Sequence, residues 1–222
     1  IRSQRDRSQV RVAKLLVCTH DFQLAVAKQE LFSWETIRAR HERSSFSSAY
    51  LEKISDRCFL DVDRTDLMKQ IWKTVVPKLE VLSPSWTGFL KQTLTDLYHA
   101  CPEETSYRKL LLAFQKTFPE WQVQKEQLMV YWLYTYFCGA VYDERIFAKG
   151  KMAVLCTLFI EELVLGLFVE KQEALAFEDL VSVSYRFSRE LEHSDQNLNT
   201  LEELLEHEEV FSLEHLLTLC EI

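Results

Sequence analysis

Four polar side chains recur at helical spacing near the end of this 222-residue sequence. They are Arg186, Glu190, His193 and Asn197, at positions i, i+4, i+7 and i+11. On a continuous helix, at about 100° per residue, they fall within a sector of roughly 60° beside an apolar stripe. A cation, a carboxylate, an imidazole and an amide held there could bound a pocket. The same spacing also suits an ordinary packing helix with an ion pair between Arg186 and Glu190, so the sequence leaves both interpretations open.

A second pattern is aromatic, in the stretch "YWLYTYFCGAVYDER". Helical spacing places Tyr131 and Tyr134 on one face and Tyr136 on another, and Asp143 follows the turn. Aromatic side chains at this spacing are usually part of a core. Their ring faces could equally form a cage for a cationic group.

A third pattern concerns metals. Glu190 and His193 of the first pattern have the E-x-x-H spacing that also occurs in di-iron helical bundles. Asp96 and His99 repeat it with a shorter carboxylate. Glu126 and Glu161 could supply the further carboxylates of such a site. Because such pairs arise by chance in acidic helical proteins, we assign no metal ligand.

The six cysteines are scattered, with no C-x-x-C pair and no histidine at ligand spacing. This is not the framework of a zinc or iron–sulfur site. Scattered thiols without disulfide-type spacing indicate a reducing compartment, and we therefore expect mostly buried, reduced cysteines and a cytoplasmic location.

Charge and hydropathy restrict the partners. The formal net charge of −8 disfavours nucleic acid and anionic membranes, which need clustered positive charge, and favours a basic partner. The longest apolar run, "MAVLCTLFIEELVLGLFV", carries Glu161 and Glu162 in its middle, where a membrane span would tolerate them badly. We expect neither nucleic acid nor a membrane as partner.

The elements that must position these residues are helices. Only four glycines and four prolines occur, too few for the turns of a β-rich fold, and apolar residues recur with helical periodicity. We predict an all-α, bundle-like array of about nine or ten helices around a buried central helix, "DERIFAKGKMAVLCTLFIEELVLGLFVEK". It should form a single domain over residues 1–222, with a candidate subdomain boundary at 99–104. Because the sequence begins with Ile1, we expect the C-terminal portion of a longer protein.

Prolines and one glycine predict helix ends. Ser83 followed by Pro84 is typical of a helix start, because proline at the first helical position loses no hydrogen bond. Pro77 should kink a helix or open the next one. Gly139 should end the aromatic helix as a C-terminal cap.

Three stretches resemble the C-terminal half of the flagellin lysine-N-methylase family. They are "RSQRDRSQVRVAKLLV", "QLMVYWLYTYFCGAVYDERIFAKGKMAVL" and "LAFEDLVSVSYRFSRELEHSDQNLNTLEELL". In order and spacing the resemblance covers nearly the whole chain. The family's cysteine-rich N-terminal part, where the resemblance places any iron–sulfur cluster, has no counterpart here. The chain also reads Phe137-Cys138-Gly139 where the family tends to have a Phe-Pro-Phe turn.

The resemblance implies methyl transfer from S-adenosylmethionine to a lysine of a partner protein, with flagellin as the implied substrate. It leaves open whether this portion is active alone. The alternative is a non-catalytic helical interaction module that docks a basic partner. On the first interpretation, catalytic roles fall to Glu190, His193 and Tyr134. Substrate-binding roles fall to Arg186, Arg189, Asn197, Tyr131, Tyr136 and Asp143.

Overall fold

The computed structural model describes residues 8–43, 62–172 and 174–220, and all regular structure in those ranges is helical. They contain ten α-helices of seven or more residues and the four-residue α7. The all-α fold with about nine or ten helices is thus confirmed. The helices are α1 (Ser8–Ala27), α2 (Trp34–Glu42), α3 (Arg64–Val75), α4 (Pro84–Ala100), α5 (Glu104–Thr117), α6 (Trp121–Tyr136), α7 (Ala140–Asp143), α8 (Ile146–Glu170), α9 (Phe177–Glu192), α10 (Asp195–His207) and α11 (Leu213–Leu219).

The chain divides into two compact units. Unit 1 takes its described residues from 8–43, 62, 130–154 and 205–220, and unit 2 from 63–129, 155–172 and 174–204. Helices α6, α8 and α10 contribute residues to both. The candidate boundary at 99–104 lies inside unit 2. The single domain over 1–222 stays a prediction.

Helix α8 is the buried central helix that the sequence predicts. Every residue from 147 to 166 is buried. By length and composition α8 could cross a membrane, but 89% of its apolar window is buried inside the protein. A core helix of a soluble protein passes the same test, because a helix packed on all sides is apolar all round.

Unit 1 is held together by a close approach between α1 and α8. A Cβ atom added to Gly150 would lie 2.6 Å from Oγ1 of Thr19, so only glycine fits at this crossing. Nearby, the ring of His20 packs edge-on against Phe147, with centroids 5.0 Å apart. Helix α1 also packs against α2 and α11.

Unit 2 has a matching close approach between α4 and α8. A Cβ atom on Gly166 would lie 2.3 Å from the carbonyl oxygen of Thr93. The aromatic core beside this crossing is formed by Phe114, whose ring packs edge-on against Trp121 at 5.4 Å and Phe168 at 5.3 Å. All three rings are fully buried.

Helix ends follow local chemistry in most places. Pro84 opens α4 after Ser83, as predicted. Pro77 lies in a 3₁₀ turn, Val76–Lys78, that ends α3. The predicted cap at Gly139 is wrong: its φ is −59°, and the chain continues through a 3₁₀ turn into α7. The left-handed residue that ends this segment is Glu144, with φ of 59°.

Candidate functional site

An apolar cavity of about 220 Å³ lies within unit 2. It is formed by the end of α3, the segment 76–81, the start of α4, and residues of α8, α9 and α10. Its walls are mostly apolar because each of these helices turns its hydrophobic face inward. Four polar residues contribute to the lining: Glu80, Thr87, Glu190 and Asn197.

Four aromatic rings line the cavity one after another. Trp72 and Phe159 pack with centroids 4.0 Å apart, and Phe159 lies 5.9 Å from Phe187. Phe187 in turn lies 6.4 Å from Trp86 at the start of α4. Such rings present large apolar surfaces and electron-rich faces, which suit either an apolar group or a cation with an apolar stem.

The polar margin of the cavity is held by hydrogen bonds between distant parts of the sequence. One oxygen of Glu190, Oε2, accepts the backbone N–H of Leu82 at 2.9 Å. Asn197 donates to the backbone carbonyls of Glu190 at 2.7 Å and Glu80 at 3.0 Å. The hydroxyl of Ser194 donates to the carboxylate of Glu80. Glu190 and Asn197 are therefore fixed side by side at the cavity wall.

The four polar residues that the sequence places in one line do not share one helix. Helix α9 ends at Glu192, and His193 caps its C-terminus with its side chain exposed. Ser194 opens α10, and its hydroxyl accepts the Asn197 N–H at 3.0 Å. The structure brings Glu190 and Asn197 together across this break and leaves His193 outside the cavity lining.

A polar cleft of about 280 Å³ lies next to the cavity in unit 2. It is lined by residues from 83 to 89 and from 182 to 190, and it shares Trp86 and Glu190 with the cavity. Arg186 and Arg189 both line it. The guanidinium of Arg186 lies 4.9 Å from the centroid of the Phe89 ring. No ion pair joins Arg186 to Glu190 in the described structure, so the predicted i,i+4 pair does not form.

The predicted tyrosines belong to unit 1. Tyr134 is 86% exposed and Tyr131 44% exposed, while Tyr136 stacks on the buried Trp132 with centroids 5.5 Å apart. These rings are therefore divided between core and surface. Their roles, like those of the polar residues in unit 2, stay predictions.

Asp143 also lies in unit 1 and pairs with Lys149 at 2.9 Å. Burial opposes ionisation of this carboxyl, but the Arg145 N–H and the Lys149 ammonium outweigh it and hold the Asp143 pKa below its usual value. The carboxylate is thus already occupied by a cation of its own unit.

The central helix carries two fully buried carboxylates, Glu161 and Glu162, which the sequence marks as obstacles to a membrane span and, for Glu161, as a candidate metal ligand. Glu161 accepts hydrogen bonds from the Trp121 indole at 2.9 Å and from Lys125 at 2.6 Å. Burial opposes its ionisation, but Lys125 and Arg64 hold the Glu161 pKa below its ordinary value. It serves as a buried anion.

Glu162 occupies a different environment. It accepts hydrogen bonds from the Trp72 indole at 3.0 Å and from the Tyr98 hydroxyl, and Arg64 lies 3.8 Å away. Burial raises the Glu162 pKa, because these partners offset the lost hydration only in part. Adjacent glutamates in an apolar run are the sequence signal that could have indicated this network.

The residues considered for a di-metal site are not grouped in the described structure. Within residues 8–43, 62–172 and 174–220, no group of three or more His, Cys, Asp or Glu side chains is placed to hold a metal ion. Glu161 is instead bound by Lys125 and Trp121, and Asp96 accepts hydrogen bonds from the Gln92 amide.

Comparison with known proteins identifies one family. The family model described as the FliB lysine N-methylase C-terminal domain matches residues 3–219. This match spans nearly the whole chain and confirms the resemblance drawn from the three stretches. Neither the curated proteins nor the solved structures give a match.

Proposed function

Because the chain belongs to the FliB lysine N-methylase C-terminal domain family, we propose that it is the helical C-terminal part of a protein-lysine N-methyltransferase. The reaction would transfer a methyl group from S-adenosylmethionine to the side-chain amine of a lysine in a partner protein, with flagellin as the candidate substrate. The observation that supports a substrate-binding role for this chain is the aromatic cavity with Glu190 at its margin.

The cavity suits a lysine side chain. Its volume of about 220 Å³ is below the roughly 300–1,000 Å³ of typical small-molecule pockets. Four methylene groups would be buried against Trp72, Trp86 and Phe187, each contributing about 0.8 kcal/mol. The ammonium group would be attracted by the ring faces and by the carboxylate of Glu190.

Glu190 is the residue best placed to act on the amine. Leu82 holds its Oε2 by a backbone N–H, which fixes the orientation of the carboxylate. Its Oε1 accepts no hydrogen bond from any described residue. A lysine must lose a proton before its nitrogen can attack a methyl group, and Oε1 of Glu190 is the acceptor we assign to that proton.

S-adenosylmethionine does not fit the cavity by itself. The cofactor carries a carboxylate, an ammonium group and an adenine, each of which needs polar partners, whereas the walls are mostly apolar. We therefore assign no residue of this chain to the cofactor. An iron–sulfur cluster likewise receives no ligand among the described cysteines, which are not grouped as a cluster site requires.

Peptide binding tests this proposal. Two peptides identical except for lysine or norleucine would be titrated into the full 222-residue chain, with tryptophan fluorescence and calorimetry as readouts. We expect the lysine peptide to bind at least about tenfold more tightly, because norleucine lacks the charged hydrogen bond to Glu190. Equal binding of the two peptides would overturn the assigned role of the cavity.

The matched variants are Glu190→Gln and Glu203→Gln. Glutamine at 190 keeps an acceptor for the Leu82 N–H and removes the charge, so we expect it to abolish the preference for lysine. Glu203 is exposed on α10 and lines neither the cavity nor the cleft, so its variant should behave like the unmodified chain. Lysine-dependent binding without methyl transfer by the longer protein would favour the non-catalytic interaction module.

A further inference from the structure

The polar cleft beside the cavity has a charge opposite to that of the protein as a whole. The chain carries a formal net charge of −8, yet two arginines, Arg186 and Arg189, line this cleft. They stand one helical turn apart on α9, and both are exposed. Neither forms an ion pair with a carboxylate of the described residues. Their positive charge is therefore available to a ligand.

Arg186 is positioned before any ligand arrives. Its guanidinium lies over the ring of Phe89, 4.9 Å from the centroid, which limits its freedom. The hydroxyls of Ser83 and Ser85, which form a hydrogen bond with each other at 3.0 Å, also line the cleft, and the hydroxyl that accepts this bond can still donate to a ligand. A planar guanidinium with neighbouring hydroxyl donors is well suited to bind a carboxylate in a bidentate manner.

Glu190 separates the cleft from the cavity. It lines both, together with Trp86. Its negative charge attracts a cation toward the cavity wall and repels an anion from it. The arginines have the opposite effect on the cleft side. The two adjoining spaces therefore favour opposite charges: a cation beside Glu190 in the cavity and an anion beside Arg186 and Arg189 in the cleft.

We propose that the cleft binds an acidic side chain of the substrate protein, so that the lysines selected are those with an aspartate or glutamate within a few residues. This proposal rests on the proposed function, because it takes the cavity as the lysine site. It adds a specificity determinant: Arg186 and Arg189 recognise substrate residues next to the lysine and take no part in the methyl transfer.

Three peptides separate this proposal from the proposed function. The first carries lysine with a neighbouring glutamate, the second lysine with glutamine, and the third norleucine with glutamate. Binding to the full 222-residue chain would be measured by calorimetry at low and moderate salt. We expect the first peptide to bind about tenfold more tightly than the second, with the difference shrinking as salt rises.

The possible results point to different failures. If the first and second peptides bind equally while norleucine weakens binding, the acidic-neighbour proposal is wrong and the lysine site stands. If norleucine has no effect, or if no peptide binds, both proposals fail. A phosphoserine peptide carries more negative charge than the glutamate peptide. If it binds more tightly than this extra charge accounts for, the group that the cleft recognises is a phosphate, and the proposal of a carboxylate is wrong.

A charge swap adds a test that loss of folding cannot imitate. Arg186→Glu with Arg189→Glu should weaken binding of the glutamate peptide and strengthen binding of a peptide with a second lysine in its place. Lys91→Glu with Lys109→Glu makes the same change in net charge at exposed positions of unit 2 outside the cleft, and should leave the order of the peptides unchanged. An unchanged order in the arginine variant would overturn the proposal.

Discussion

Asn197 and Glu80 are joined by two reciprocal hydrogen bonds. The Glu80 N–H donates to Oδ1 of Asn197 at 2.8 Å, and Nδ2 of Asn197 donates to the Glu80 carbonyl at 3.0 Å. The same amide also donates to the Glu190 carbonyl at 2.7 Å. This one buried side chain thus pairs with the backbone of segment 76–81 and links that segment to the end of α9.

Replacing Asn197 by alanine should destabilise the fold. The change leaves the Glu80 N–H and the Glu190 carbonyl without their hydrogen-bond partners. Leaving a buried polar group unpaired costs about 1–3 kcal/mol of stability. Urea unfolding followed by tryptophan fluorescence would measure the loss. Asn199→Ala, at an exposed position on the same helix, is the control and should change stability by less than about 0.5 kcal/mol. Equal effects at the two positions would contradict the role of Asn197.

The elements that were predicted correctly are those with local causes. Helix α8 is visible in the sequence because a long run that is apolar on all sides must be buried. The start of α4 could be predicted because Pro84, at the first helical position, loses no hydrogen bond. The wrong cap at Gly139 shows the limit of such rules: glycine permits a left-handed end but does not require one, and the chain turns at Glu144 instead.

The cavity could be predicted only in part. Periodicity placed Glu190 and Asn197 near one face, and the structure does bring them together. Their partners, Glu80 and Leu82, are separated from them by 117 and 108 residues, and such pairings leave no local pattern. Helix α9 ends at Glu192, so His193 leaves the line assumed for a continuous helix and lies apart from the cavity.

Gly166→Ala should be strongly destabilising. The new Cβ would lie 2.3 Å from the Thr93 carbonyl oxygen, and backbone cannot yield without moving α4 against α8. We expect a loss of at least about 2–3 kcal/mol, at the upper end for overpacked sites. Thermal melts monitored by circular dichroism would show it as a lower Tm.

The control for Gly166 is Gly88→Ala. Gly88 lies within α4, and nothing approaches the position of its missing Cβ within 4 Å. Alanine should therefore stabilise the helix by about 0.5–1 kcal/mol through its higher helix propensity. The prediction fails if the two glycine variants shift Tm in the same direction.

Asp63 should make stability depend on pH in the acid range. It accepts the N–H groups of Thr65 and Asp66 at the start of α3 and of Glu104 at the start of α5. Burial would raise the pKa of this carboxyl, but these hydrogen bonds outweigh it and lower the pKa below 3.8. Its contribution is therefore complete above pH 3.8 and is lost as the pH falls toward the lowered value.

Asp63→Asn should reduce that acid-side loss. Asparagine can still cap α3 but does not titrate, so the free energy of unfolding of the variant should fall less between about pH 4 and pH 2. Chemical unfolding at a series of pH values would measure both slopes. Asp96→Asn, in the middle of α4, should keep the slope of the unmodified chain. A steeper acid-side loss in Asp63→Asn would show that the sign is wrong.

Lys151 should make stability depend on pH in the alkaline range. Its ammonium is buried in unit 1, where it donates to the Leu205 carbonyl at 2.5 Å and lies 4.2 Å from the centroid of the Phe147 ring. Burial lowers its pKa from 10.5 to about 8, although Glu206 and Glu209 oppose the shift. Between these two values the unfolded chain binds the extra proton, so stability rises with pH through this window.

Lys151→Met should remove that rise, because methionine has a similar length and no charge. The difference in unfolding free energy between the unmodified chain and the variant should therefore climb from about pH 8 to pH 10.5, by up to about 3 kcal/mol. Unfolding in urea at closely spaced pH values measures it. Lys91→Met, at an exposed position of α4, is the control, and the unfolding free energy of this variant should still rise with pH over the same range. A flat difference curve for Lys151→Met would mean that the buried amine stays protonated throughout, held by the Leu205 carbonyl and the nearby glutamates.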